Sequence, residues 1–599
     1  MANQETKKRV DVDSKYKWDL EAIYPDEKVW ENDFQKTRKL MHEIGGLQGR
    51  VGESASMLLQ VMQLSDDCER LASKLYVYAR MRRDENNADG HYQGLFDRAE
   101  SLSVELGSET AFIVPEILEI PEERLKAFLE DNKELKVYGH FLDELLRQKE
   151  HILSQSEERL LAMAADLSMA SGNTFTMLNN ADIRFPKIKN EEGESVEVTK
   201  GRYGSLMESA DRRVRKDAFE ALYSSYGGLI NTLGATLNAS VKKDIFYARV
   251  RKYTSARGAS LDQDNVSVDV YDKLIESVHA SMDHMYRYMK IRKKMLGLDE
   301  LHMYDIYTPL VPEYKMEVSY EEAKKMVLEA LQPLGKEYVS KLEEGMNGGW
   351  IDVYENEGKT SGAYSWGTYD TNPYVLMNYD NKLDDVFTLA HEMGHSLHSY
   401  YSNQHQPFVN SQYTIFVAEV ASTVNESLLI DYLLKKSNDP KEKIFLINHY
   451  LEQFRGTVYR QTMFAEFEKI VHEKAEQGEA LTPELLSQIY YDLNRLYYGP
   501  DMILDDEIKM EWARIPHFYS AFYVYKYATG FSTATSLKQQ ILEEGEPAVK
   551  RYLNFLQSGS SDYPIQLLQK AGVDLTKPEP VQKGLAYFGA LLDQLEALI

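Results

Sequence analysis

Over most of this chain apolar residues recur three and four positions apart with charges between them. That spacing belongs to one-sided helices, which must bury their apolar stripes against one another. The stretches LMHEIGGLQGRV, SMLLQVMQLSDDCERLASKLYVYARM and ERLKAFLEDNKELKVYGHFLDELLRQ read as an antiparallel helical array in the first part of the chain. No fixed-period self-similarity runs through them, which disfavours a solenoid of repeats. Two stretches break the helical pattern. ADIRFPKIKNEEGESVEVTKGRYG, residues 181–204, alternates on either side of Glu192-Gly193 and predicts a hairpin or ordered loop, with a soft domain boundary near it. Between Gly348 and Tyr379 the chain turns rich in Gly, Tyr, Trp and Thr, which predicts a small antiparallel sheet. Helix resumes at Leu383 and continues to the end, so the expected fold is mainly α.

Composition narrows the classes of function. With 599 residues, 43% hydrophobic and 27% charged, the chain can bury a large core. Disorder would need fewer apolar residues, and a membrane protein would need long uncharged apolar runs, none of which is seen. The net charge of -26 opposes nucleic acid and anionic membranes as partners. The single cysteine, Cys68, can form no intrachain disulfide and no thiolate metal site. Any metal must therefore rest on histidine and carboxylate. No apolar leader is visible at the N-terminus, and a cytoplasmic location is expected.

Residues 383–400, LDDVFTLAHEMGHSLHSY, carry the strongest chemical signal. Asp384 or Asp385 can cap a helix in which Val386, Leu389 and Met393 set the period. His391 and His395 then lie one turn apart on one face, and both imidazoles can reach one ion at about 2.0–2.1 Å. Glu392 is rotated by roughly 100° from them, where it can face a metal-bound water without replacing a ligand. Roughly 0.03 chance matches to this pattern are expected in a chain of such composition. Gly394 is locally unfavourable, by about 1 kcal/mol in a helix interior, and its missing side chain can admit a neighbouring element.

A hydrolytic site needs a third protein ligand and an open fourth position. In the apolar helix YTIFVAEVASTVNESLLIDY, residues 413–432, Glu419, Ser422 and Glu426 share one face. A carboxylate on such a helix is costly unless a partner meets it. Glu419 is the third-ligand candidate, and Glu426, two turns on, can accept the free N–H of a metal-bound histidine. His398, one turn past His395, is read as a histidine packed beside the site, because as a fourth ligand it would close it.

HEMGHSLH followed by FVAEVASTVNESLL resembles the metal-binding signature of the thimet oligopeptidase and neurolysin superfamily, with closest likeness to the bacterial oligoendopeptidase F branch. DSKYKWDLEAIYPDE, KYTSARGASL, GAYSWGTYDTNPYVLMNY and RIPHFYSAFYVYKYATG extend the likeness over nearly the whole chain. The resemblance implies a neurolysin-like, two-lobed helical fold around a deep channel, with the small sheet beside the active site. Residues 1–200 would form an N-terminal helical region in the channel wall and residues 201–599 the catalytic domain. It further implies one Zn2+ held by His391, His395 and Glu419, Glu392 as general base, and short unstructured peptides as substrates. A downstream cluster of His517, Tyr519, Tyr523, Tyr525 and Tyr527 would steady the scissile carbonyl oxygen, with His517 and Tyr523, then Tyr525, as the donors.

Independently of the resemblance, Tyr O–H and His N–H groups suit an oxyanion. Against this, Phe518, Phe522 and Val524 argue for an aromatic core helix, and with 41 tyrosines in the chain most must be structural. The 360–379 segment can hold an extended peptide at an open strand edge, with Gly362 and Gly367 permitting close backbone approach, or it can simply cover the core. The reading is a zinc endopeptidase of short oligopeptides. An exopeptidase with the same site and a non-catalytic peptide-binding protein are the alternatives.

Overall fold

The structure, a computed structural model, describes residues 7–312, 314 and 316–599. Most of these residues are helical, as the periodicity predicts. They form two compact units, each assembled from three separated stretches. The first comprises the described residues of Met1–Lys149, Met316–Tyr432 and Leu537–Gly572, and the second those of Glu150–Lys315, Leu433–Ser536 and Val573–Ile599.

In the first unit the helices Glu27–Gly45, Ala55–Glu85 and Gly90–Thr110 pack on one another. Their apolar stripes supply Trp30, Ile44, Leu58, Leu75 and Leu102 to one core that also takes in Tyr374 and Leu376. Asp26 and Ser54 cap the first two helices by accepting the amides of Val29 and Met57, satisfying N–H groups that have no partner within the helix.

The strand-rich stretch forms β1 (Ile351–Asp352), β2 (Tyr364–Trp366) and β3 (Tyr374–Leu376), in the order β1-β3-β2. β2 and β3 are an antiparallel hairpin with Ser365 opposite Val375, whereas β1 runs parallel to β3 with Ile351 opposite Val375. The sheet is therefore mixed, where the sequence suggested an antiparallel one. Alternation marks strands but says nothing of the direction of a two-residue strand joined through a long loop. That loop is fixed by Lys359, whose buried ammonium donates to the carbonyls of Asp352 and Tyr354 and pairs with the Asp352 carboxylate at 2.8 Å. β2 is one of the two edge strands, and Ser365 Oγ lies 2.8 Å from Ser396 Oγ of the following helix, Leu383–His405. Gly362 takes a left-handed φ of 84°, and a Cβ on Gly367 would lie 2.7 Å from the Asn372 carbonyl oxygen. At Gly367 the close approach is that of the hairpin's own backbone.

In the second unit the 181–204 stretch contains the expected hairpin, Lys187–Lys189 paired antiparallel with Ser195–Glu197 around Gly193 at φ 80°. The helices Arg212–Gly228, Ile230–Val250, Arg460–Glu476 and Pro483–Tyr498 surround buried Trp512 and Tyr490. Among the described residues no helix is long and apolar enough to cross a membrane.

Candidate metal centre

The N-cap of helix Leu383–His405 is Lys382, not Asp384 or Asp385, both of which lie inside the first turn. Asp385 sits in its first turn and reaches back to accept the amides of Asp380 and Lys382, at 2.8 and 2.9 Å. Further along the helix, His391 and His395 turn their Nε2 atoms to the same point, 3.1 Å apart. The neighbouring helix Ile415–Lys436 brings Glu419 Oε2 to 3.4 Å from each of them. Two lone-pair nitrogens and a carboxylate oxygen facing one another at such distances need a cation or a proton between them. Tetrahedral bonds of about 2.0–2.1 Å place ligand atoms about 3.3–3.4 Å apart, so this donor set fits one zinc ion with a fourth position left over. Among the described residues His391, His395 and Glu419 form the one cluster of this kind.

Behind this triangle, His391 Nδ1 lies 2.5 Å from Glu426 Oε1. A carboxylate only accepts, so the hydrogen sits on Nδ1 and the Nε2 lone pair points at the metal position. Ser422 Oγ donates to Glu419 Oε2 at 3.2 Å and orients the third donor. The two helices meet at Gly394: a Cβ there would lie 2.6 Å from Ser422 Cα and 2.8 Å from the Ala421 carbonyl oxygen. The glycine is tolerated in the helix interior because any side chain would drive Glu419 away from the histidines.

The sequence reading did not name two residues that lock this crossing. Asn425 Nδ2 donates to the Ala390 carbonyl at 3.0 Å, and Tyr338 O–H donates to Asn425 Oδ1 at 3.0 Å, all buried. An asparagine beside Glu426 on an otherwise apolar helix was the available signal.

Charge in the cluster follows from these contacts. Burial works against a charged His391, but its hydrogen bonds to Glu419 and Glu426 outweigh burial and push its pKa up to about 10. Burial alone would raise Glu419, and the two histidines instead hold it well below the usual carboxylate range. The protein thus favours positive charge at this point even from its own atoms. Glu392, only 8% exposed, is raised by burial, partly countered by the two histidines. A carboxylate in that position takes up a proton more readily than one in water. His398 stays outside the cluster. Its ring is stacked on Tyr413 at 3.7 Å and packs on Phe555, and burial pulls its pKa down to about 3, so it is neutral.

The downstream aromatic residues belong to the second unit, and the structure divides them. His517, Tyr523 and Tyr527 form one partly exposed group, with ring centroids 6.3 Å apart for His517–Tyr523, 6.1 Å for His517–Tyr527 and 5.4 Å for Tyr523–Tyr527. Tyr525 is fully buried and packs against Tyr271 at 5.0 Å. Tyr519 stacks on Phe175 at 4.2 Å, with its hydroxyl 2.7 Å from Thr236 Oγ1. A helix begins at Tyr525, and the turn that leads into it, with Lys526 N–H bonded to the Tyr523 carbonyl and Tyr527 N–H to the Val524 carbonyl at 3.2 Å each, sets Tyr527 beside Tyr523 while Tyr525 faces the core.

The model of peptidase family M3 matches residues 205–587, and that of oligopeptidase F matches residues 116–185. The chain belongs to peptidase family M3. It is 50% identical to oligopeptidase PepF of Bacillus subtilis over 99% of this chain and 88% of that protein. Among solved structures it is similar to a putative peptidase of Chlamydophila abortus, with a TM-score of 0.93 and 35% identity over 99% of this chain and 100% of that one. It is also similar to oligoendopeptidase-F of Enterococcus faecium, with a TM-score of 0.74 and 38% identity over 96% and 99% of the two chains. The M3 family consists of metallopeptidases, so the chain is a peptidase with a mainly helical oligoendopeptidase F fold, and its His391/His395/Glu419 cluster can bind a metal.

Proposed function

We propose that the chain is a zinc-dependent endopeptidase that hydrolyses internal bonds of short, unstructured peptides. The observation that carries this reading is the triangle of His391 Nε2, His395 Nε2 and Glu419 Oε2, with sides of 3.1, 3.4 and 3.4 Å, backed by Glu426. One zinc ion held by these residues would supply a Lewis acid for the scissile carbonyl and bring a bound water to a pKa of about 7.

The chain's own groups do the rest. Glu392 takes the proton of the attacking water on its carboxylate and returns it to the leaving amine. The outer edge of β2 offers main-chain groups to an extended peptide, and a cavity of about 750 Å3 beside it, lined by Trp366, Tyr369, Tyr76 and Phe408, offers room for flanking side chains. His517 and Tyr523 remain the proposed donors to the reacting oxygen. Tyr527 is proposed with them, in place of Tyr525, whose burial leaves it nothing to offer a substrate.

The test is hydrolysis of an internally quenched peptide with both ends blocked. Cleavage that a chelator abolishes and zinc restores is expected. Glu392→Gln should keep one metal per chain by atomic spectroscopy while turnover falls by at least about 10^3-fold. Cleavage that persists in chelator would overturn the metal reading, and a requirement for a free terminus would replace the endopeptidase by an exopeptidase.

A further inference from the structure

Helix Arg460–Glu476 carries a buried carboxyl for which the proposed reaction has no use. Glu468 is 2% exposed and lies between Phe464, Phe467 and Val471, all equally buried. A leucine would suit that place unless the carboxyl holds something. One oxygen, Oε1, accepts the backbone N–H of Phe522 at 3.0 Å. The other, Oε2, has no hydrogen-bond partner among the described residues. Burial pushes this carboxyl well above the usual range despite the Phe522 N–H.

Phe522 is itself unusual. It takes a φ of 59°, the left-handed region that residues with a Cβ seldom occupy. It is the turning point of the loop that carries the proposed donors. On one side Ser520 N–H closes a turn onto the His517 carbonyl at 2.9 Å, and on the other Lys526 N–H bonds the Tyr523 carbonyl at 3.2 Å. The Phe522 ring is 1% exposed and packs on His472 and Tyr271, at 4.6 and 5.9 Å. Ser260 Oγ donates to the Ala521 carbonyl at 3.3 Å. Residues 521 and 522 are thus anchored inward, and the strained backbone between them and residue 523 turns Tyr523 outward beside His517. A left-handed residue persists only where its surroundings over-determine it, and the Glu468 bond is the anchor on its amide.

We propose that Glu468 is a positioning residue that holds the Phe522 amide and thereby sets how Tyr523 and His517 are presented to the substrate. This rests on the reading of those two side chains as donors to the reacting carbonyl.

The test uses the full, metal-loaded chain and the quenched peptide, comparing Glu468→Leu, Glu468→Gln and Tyr523→Phe alone and Glu468→Leu combined with Tyr523→Phe. Glu468→Leu is expected to lower kcat by roughly 10- to 100-fold with KM changed less than about threefold, because misplacement of a reacting group by an ångström costs that much. Glu468→Gln, which keeps an oxygen acceptor at the same side-chain length, should hold kcat within about threefold of the parent. The double variant should lose clearly less than the product of the two single losses, since part of what Glu468 does passes through the Tyr523 hydroxyl. If Tyr523→Phe is slow while a folded, metal-loaded Glu468→Leu keeps the parent kcat, the positioning role is overturned and the donor reading stands. Fully additive losses overturn it too. If Tyr523→Phe is as fast as the parent, the donor reading falls and the proposal with it. Should Glu468→Leu fail to fold, Glu468→Asp, which withdraws the acceptor by one methylene, is judged by the same criteria.

Discussion

The metal cluster of the first unit and the ion cluster around Glu511 in the second gather similar numbers of polar groups and resolve them in opposite ways. Glu511, 2% exposed, accepts from Arg460 at 2.7 and 3.2 Å, from Arg514 at 2.7 Å and from the Tyr490 hydroxyl at 2.6 Å. Each carboxylate oxygen is met by donors, and no position is left for a further group. At the metal cluster two imidazole nitrogens and a carboxylate oxygen converge on one point, and the side chains of His391, His395 and Glu419 remain 29, 17 and 40% exposed. The first arrangement is complete with protein atoms. The second presents a donor set that can hold a cation, and it stays partly open to solvent.

The comparison makes a crossed prediction. Glu419→Ala should lower kcat/KM by on the order of 10^4-fold, about 5 kcal/mol of transition-state stabilisation, through loss of bound metal. Its melting temperature without metal should stay close to that of the equally metal-free parent. Calorimetry of both forms with metal analysis checks this, and a large loss of stability without metal would make Glu419 a structural residue like Glu511.

Glu511→Ala should do the reverse. It strands the half-buried Arg460 and Arg514 without their carboxylate, at a cost of up to about 3–5 kcal/mol in denaturant unfolding. Metal bound per folded molecule should not change. Its pH dependence has a definite sign. Burial would raise the Glu511 carboxyl, but the two arginines overrule it and hold the folded-state value well below that of the unfolded chain. Its stabilisation is therefore fully present above the unfolded pKa of about 4.3 and is lost as pH falls through the folded value. The gap between parent and variant should be constant near neutrality and narrow in acid. A gap that widened in acid would reverse the assignment.

Gly394→Ala probes how much of the open cluster depends on the helix crossing. The added methyl meets the backbone of Ser422 and Ala421, which cannot give way as a side-chain tip can. We expect a loss of about 1–3 kcal/mol in stability together with weaker metal binding, measured by thermal melts with and without zinc. Ser422→Gly should recover little, since the contact is to main chain.

These contrasts also explain what could be read from the chain beforehand. His391, Glu392 and His395 are legible because four-residue spacing on a helix is a local property, and Glu419 and Glu426 because charges stand out on an apolar helix. The mainly α fold follows from the same periodicity. What escaped is what distant stretches decide together. The parallel setting of β1 depends on a loop pinned by Lys359, the division between Tyr525 and Tyr527 depends on where a helix starts, and Asn425 and Glu468 are explained by partners 35 and 54 residues away. Each unit joins three stretches far apart along the chain, and no local pattern records which apolar faces meet.

The smallest predicted effect concerns Glu426, which separates a group that orients a ligand from one that is a ligand. Glu426→Gln keeps an acceptor for His391 Nδ1–H but removes the charge that makes the imidazole more basic. Metal affinity should fall by about 10- to 100-fold, with kcat at saturating zinc within a few-fold of the parent. A zinc titration followed by activity and by a competing chelator reads both quantities. If kcat fell with full metal loading, Glu426 would be acting on the reaction itself, and the division between the triangle and its backing would have to be redrawn.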